Sequence, residues 1–112
     1  MNAPNSSVVT LEAALRFRFH DKRLEALYTE EKGAKRYPAA VVDSFFEVMT
    51  TIQAATSTQD LRQLKSLHME RLQGKRAGQY SLRLNSQFRL VFKIEKKGDE
   101  ELLIIEIVDY HR

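Results

Sequence analysis

The chain closes on Ile107-Val108-Asp109-Tyr110-His111-Arg112, so an apolar run is followed directly by a carboxylate, a phenol, an imidazole and a guanidinium. Asp109, Tyr110 and His111 can each give or take a proton. One positioned acid or base accelerates a reaction by about 10²–10⁴-fold. Upstream lie Arg83 and Arg89, whose planar guanidinium forks match phosphate oxygens with paired hydrogen bonds. His68 precedes a basic stretch containing Arg71, Lys75 and Arg76. Between Arg71 and Ile94 there are six basic residues and no acidic one. With an overall net charge of +3, the rest of the chain is therefore net negative. Basic charge gathered in one segment suits a polyanion-binding surface. Each feature also has a plainer reading. A lone histidine is more often structural or merely exposed, and two strand arginines can be a screened pair whose stems cover the sheet. Together they favour acid–base chemistry on an anionic substrate. His20, behind the first predicted strand, is incidental on this reading. There is no cysteine, no HExxH pair, no glycine-rich phosphate loop and no GxSxG elbow, so the chemistry is expected to need neither metal nor cofactor.

These side chains need a scaffold. Leu15 to His20 alternates apolar and basic residues, the period of a half-buried strand. Asp21 offers an N-cap, Leu24, Leu27, Tyr28 and Glu31 follow at helical spacing, and Gly33 predicts the stop. A second helix opens near Pro38, with Val41, Val42, Phe45, Phe46, Val48, Met49 and Ile52 on a broad apolar stripe. Thr58 predicts the cap of a short helical turn, Gln59 to Leu64. Beyond Gly78 the period becomes two: Tyr80, Leu82 and Leu84 alternate with polar residues, as do Phe88, Leu90, Phe92 and Ile94 with their neighbours. A three-residue loop, Asn85-Ser86-Gln87, sets Leu84 against Phe88, Leu82 against Leu90 and Tyr80 against Phe92. The same register sets Arg83 opposite Arg89. Like charges directly opposed destabilise a strand pair unless water screens them or an anion lies between them. Lys97-Gly98-Asp99 is the next turn, and Leu102 to Val108 the last strand. The predicted order is β-α-α-β-β-β. The class is α+β, with two N-terminal helices on one face of a largely antiparallel four-stranded sheet and the other face left for a ligand.

The composition agrees with one globular domain spanning residues 1–112: 112 residues, 43% hydrophobic and 29% charged. Residues 1–10, MNAPNSSVVT, read as a polar lead-in without the basic start and apolar stretch of a signal peptide. No apolar run reaches membrane-spanning length. The absence of cysteine fits a reducing cytoplasm.

The stretch LQGKRAGQYSLRLNSQFRLVF, followed by the closing DYH, resembles the RelE/ParE superfamily of bacterial toxins, and within it the HigB branch of plasmid maintenance killer proteins. The residues that carry the resemblance are Leu72, Gly74, Arg76, Gly78, Tyr80, Ser81, Leu82, Arg83, Leu84, Asn85, Gln87, Phe88, Arg89, Leu90 and Phe92. It implies a RelE-like fold and a toxin of a type II toxin–antitoxin system, acting as a metal-independent endoribonuclease that cuts messenger RNA on the ribosome. The implied catalytic residues are Asp109, Tyr110, His111 and Arg89, with His68 upstream. Arg83, Arg76, Lys75 and Arg71 are the implied RNA-binding residues. The implied partners are the ribosome, messenger RNA and a helix-turn-helix antitoxin of HigA type, with operator DNA engaged only through that antitoxin and no membrane. The LHMERLQG segment is longer than its counterpart in the branch, which admits Arg71 in place of His68. Two alternatives stand beside this: a ParE-like poison of DNA gyrase on the same fold, and a non-enzymatic nucleic-acid-binding module. Sequence order alone does not say which group is the base and which the acid.

Overall fold

The computed structural model describes residues 15–110; the lead-in expected over residues 1–10, together with His111 and Arg112, lies outside the described residues. Strand β1, Arg16–Phe19, leads into helix α1, Lys22–Glu30. Asp21 caps α1 as expected, its carboxylate accepting from the Arg23 N–H at 2.8 Å. The helix ends earlier than the glycine signal suggested. Glu31 takes the left-handed cap position at φ 57°, and Gly33 instead opens a 3-10 turn over Ala34–Arg36. Helix α2, Ala39–Ala54, follows Pro38. Its buried residues Val41, Phe45, Val48, Met49 and Ile52 recur at helical spacing and form one stripe against the sheet.

Helix α3, Thr58–Gln63, is the expected short turn with a different cap. Ser57, not Thr58, occupies the N-cap position, and its side chain makes no capping bond. The cap comes from a distant strand. The Glu100 carboxylate accepts from the Thr58 backbone N–H at 2.9 Å and from its hydroxyl at 2.6 Å. A local cap rule cannot see a carboxylate supplied from 42 residues away.

A 3-10 turn over Lys65–Leu67 leads to β2, Glu70–Arg71, then a second over Gly74–Arg76, then β3, Tyr80–Arg83. The long strands β4, Phe88–Lys97, and β5, Asp99–Asp109, complete the chain. The sheet therefore has five strands rather than the expected four, in the order β1-β5-β4-β3-β2. The addition is β2, a two-residue edge strand too short to show any alternation in sequence. β1 runs parallel to β5 and every other pairing is antiparallel. The β3–β4 hairpin has the expected register: Tyr80 pairs with Phe92, Leu82 with Leu90 and Arg83 with Arg89. Asn85 closes its loop, its side-chain oxygen accepting from the N–H groups of Gln87 and Phe88 at 2.8 and 2.7 Å.

The helices lie on one face of the sheet. Leu82, Leu90, Phe92, Leu102 and Ile104 meet Phe45, Met49, Ile52 and Leu61 there, all essentially inaccessible to water. Each such side chain stabilises the fold by about 1.5–3 kcal/mol through removal from water. Val91 and Ser81 are buried just as fully, but Val91 falls outside that cluster because strand alternation turns both to the opposite face. Among the described residues no helix is long and apolar enough to cross a membrane.

Candidate active site on the open face of the sheet

Alternation along β3, β4 and β5 decides which chemical groups share a side. Ser81, Arg83, Arg89 and Val91 occupy the face turned away from the helices. On β5, Val108 pairs with Arg89 and Asp109 with Phe88. Asp109 therefore falls on the helix-side face and Tyr110 on that of Arg89. The ladder persists to Tyr110, whose backbone N–H donates to the Gln87 carbonyl at 2.7 Å. Tyr110 and Arg89 are thus diagonal neighbours, about 7–8 Å apart at the backbone and within reach of long side chains. The Tyr110 ring is exposed. Asp109 accepts from the Gln87 side-chain amide at 3.1 Å.

Arg89 is held at several points. Its Nε–H donates to the Ser81 hydroxyl at 2.6 Å, and its Nη2 donates to the His68 backbone carbonyl. The Glu70 carboxylate approaches Nη2 at 3.8 Å. His68 ends the 3-10 turn over Lys65–Leu67 in the left-handed region at φ 43°, a conformation that costs a non-glycine residue about 1–3 kcal/mol. Its side chain is exposed. The Arg89 bond to its carbonyl therefore ties the His68 turn to the middle of the sheet. Glu70 pairs with Ser81 and so shares this face.

The other basic residues separate. Arg83 opposes Arg89 along the backbone, yet it borders a different hollow, lined by Ser44, Glu47 and Thr51 of α2 and by Ser66 and Leu67. Arg71 pairs with Tyr80, whose ring stacks on Phe92 of the core, so the register sets Arg71 on the helix-side row at the sheet edge. Arg76 is half-buried and committed: its Nη2 lies 2.5 Å from the Glu106 carboxylate, and its Nη1 donates to the Gln79 side chain at 2.9 Å. Glu106 pairs with Val91, so this contact spans the open face beside the buried valine. Lys75 is exposed on the same loop. His111 lies outside the described residues.

The structure therefore brings together Arg89, the His68 turn and Tyr110 on one face, while the strand register places Asp109 and Arg71 on the other row and Arg83 borders the far side of the Lys65–Leu67 turn. Sequence reasoning missed Ser81, Glu70, Gln87 and Glu106 as members of this neighbourhood. One signal for Ser81 was present: the three-residue loop register makes it a diagonal cross-strand neighbour of Arg89. A guanidinium that is bonded to the backbone of an exposed histidine and shares a face with an exposed phenol gives this face one group to neutralise an anion and two that can move protons.

Solved structures share the architecture. The YoeB/ParE toxin from Agrobacterium tumefaciens superposes with a TM-score of 0.54 over 87% of this chain and 100% of that one, at 15% identity. The toxin–antitoxin complex YoeB–YefM from Staphylococcus aureus superposes with a TM-score of 0.52 over 89% and 100%, at 21% identity. At such identities the likeness is one of fold. Sequence goes further. Toxin HigB-1 of Vibrio cholerae serotype O1 is 33% identical over 75 residues, covering 67% of this chain and 79% of that protein. The HigB-like toxin family, described as the RelE-like toxin of the type II toxin–antitoxin system HigB, matches residues 17–111, which include the hairpin, the His68 turn and the closing Asp-Tyr-His. This chain belongs to the HigB-like toxins of type II toxin–antitoxin systems, built on the RelE fold.

Proposed function

We propose that this toxin is an endoribonuclease that cleaves messenger RNA on the ribosome in the cytoplasm. The observation that carries this reading is the shared face of Arg89, Tyr110 and the His68 turn. RNA contains its own nucleophile. The ribose 2′-hydroxyl loses its proton to the His68 imidazole and attacks the adjacent phosphorus. The P–O5′ bond breaks, and the departing oxygen takes a proton from the Tyr110 phenol. The products are a 2′,3′-cyclic phosphate and a 5′-hydroxyl end. Arg89 balances the charge that grows on the non-bridging oxygens. Asp109 and His111 complete the closing triplet, Asp109 bracing the strand end through Gln87. Exposed Lys75 extends the basic surface along which the RNA lies, Arg71 and Arg83 add charge at the sheet edge and beside α2, and Arg76 contributes where RNA competes with Glu106 for it. A helix-turn-helix antitoxin of HigA type silences the toxin and carries it to operator DNA.

The test is cleavage of messenger RNA on translating ribosomes by Tyr110→Phe, His68→Ala and Arg89→Ala proteins. Each is expected to lose about 10²–10⁴-fold in rate. Full activity in all three removes this site, and inhibition of purified DNA gyrase by the wild-type protein would substitute the ParE-like reading.

A further inference from the structure

We propose that Ser81 is a positioning residue that aims the Arg89 guanidinium at a phosphodiester, an assignment that rests on the ribonuclease reading above. A guanidinium has two edges that can grip an oxyanion with parallel N–H donors: the side-on edge, Nε with one Nη2 hydrogen, and the end-on edge, Nη1 with the other Nη2 hydrogen. In Arg89 the side-on edge is spent within the protein. Ser81 Oγ accepts from Nε at 2.6 Å, and the His68 carbonyl accepts from Nη2. Nη1 has no protein acceptor among the described residues. The Glu70 carboxylate, the remaining neighbour, stands 3.8 Å from Nη2 and is largely solvated. The Arg89 side chain is only 15% exposed.

Ser81 itself is fully buried between Glu70 on β2 and Val91 on β4. A hydroxyl in that position is costly unless it is bonded, and filling the space requires no oxygen, since alanine occupies nearly the same volume. What the oxygen adds is one fixed acceptor against Nε, which stops rotation of the guanidinium plane about its last torsion. The His68 carbonyl then fixes the second point. Two points determine the direction of the open end-on edge, and the same clasp holds His68 in its left-handed turn. The arginine and the His68 backbone are thereby registered to each other before any RNA binds, which is the preorganisation that charge stabilisation in a transition state requires.

The experiment uses the full chain on translating ribosomes, with messenger RNA carrying a single phosphorothioate of either configuration at the cleaved position. An aimed guanidinium distinguishes the two non-bridging oxygens, so the wild-type protein is expected to cleave one diastereomer faster. Ser81→Ala is expected to lower kcat about 10- to 100-fold, with little change in KM, and to shrink that preference. In an Arg89→Lys background, which has no Nε–H, adding Ser81→Ala is expected to change nothing. An equal loss in both backgrounds, or an unaltered preference, overturns the proposal. A second readout is independent of cleavage: the Arg89 Nε–H resonance in ¹⁵N NMR should exchange slowly in the wild-type protein and quickly in Ser81→Ala. Fast exchange in the wild type overturns the clasp. Slow exchange lost on mutation, in a protein that cuts no RNA, retires the ribonuclease reading and upholds the clasp.

Discussion

Arg76 belongs to the basic segment that marks the chain as a polyanion binder, yet in the fold it faces a carboxylate. Removing the contact tests whether it holds the 72–79 loop onto the sheet. Arg76 Nη2 sits 2.5 Å from Glu106, and the two side chains remain 31% and 43% exposed. Hydrogen bonds to charged groups contribute about 1.5–3 kcal/mol when well shielded, and fully exposed ion pairs contribute about 0–1 kcal/mol. Partial exposure places this pair between those limits, with an expected coupling of about 1 kcal/mol. The variants are Arg76→Met, which keeps the apolar stem, Glu106→Gln, which keeps the shape, and the double substitution. Urea titrations of all four proteins give the coupling through a double-mutant cycle. In a domain of this size, thermal melts should show the same coupling as about 4 °C. A second consequence separates the bridge from an RNA contact. Glu106→Gln releases a cation on the open face, so RNA binding at low salt should tighten and its salt dependence should steepen by about one phosphate contact. A coupling under about 0.3 kcal/mol, or weaker RNA binding by Glu106→Gln, refutes the reasoning.

Two further outcomes concern the frame around the site. The Thr58 hydroxyl and backbone N–H hold the Glu100 carboxyl below its usual range. Because the folded value is depressed, its stabilisation is complete above the unfolded pKa, near about 4.3, and is lost as pH falls through the lower folded value. Glu100→Gln should therefore lower the melting temperature at neutral pH by the worth of a helix cap, about 1 kcal/mol. Melts taken downward from neutral pH should show the two proteins converging as the Glu100 carboxyl is protonated; a constant difference throughout the acid range sinks the assignment. Gly98 turns β4 into β5 at φ 88°, and a Cβ built there meets nothing within 4 Å. Gly98→Ala should therefore cost only the backbone term, about 1–2 kcal/mol, and leave activity per folded molecule unchanged in an RNA cleavage assay.

Short-range pattern was enough to read much of this protein from its residues. The helical stripe from Val41 to Ile52 recurs every three or four residues, and the strands alternate every two. The facing pairs Leu82–Leu90 and Tyr80–Phe92 admit one hairpin loop length, so the opposition of Arg83 and Arg89 could be deduced and is observed. The family was legible for the same reason, since its motif is a continuous run through that hairpin. What only the tertiary structure decided are contacts between distant positions: Arg89 with His68 across 21 residues, Arg76 with Glu106 across 30, and Thr58 with Glu100 across 42. Periodicity assigns each of these side chains to a face but not to a partner, because the partner depends on how far one element slides and turns against another. So it was with the arginines. Their opposition followed from register, but whether they meet at one acceptor depended on Ser81 and the His68 turn claiming one guanidinium while the other borders a hollow beside α2.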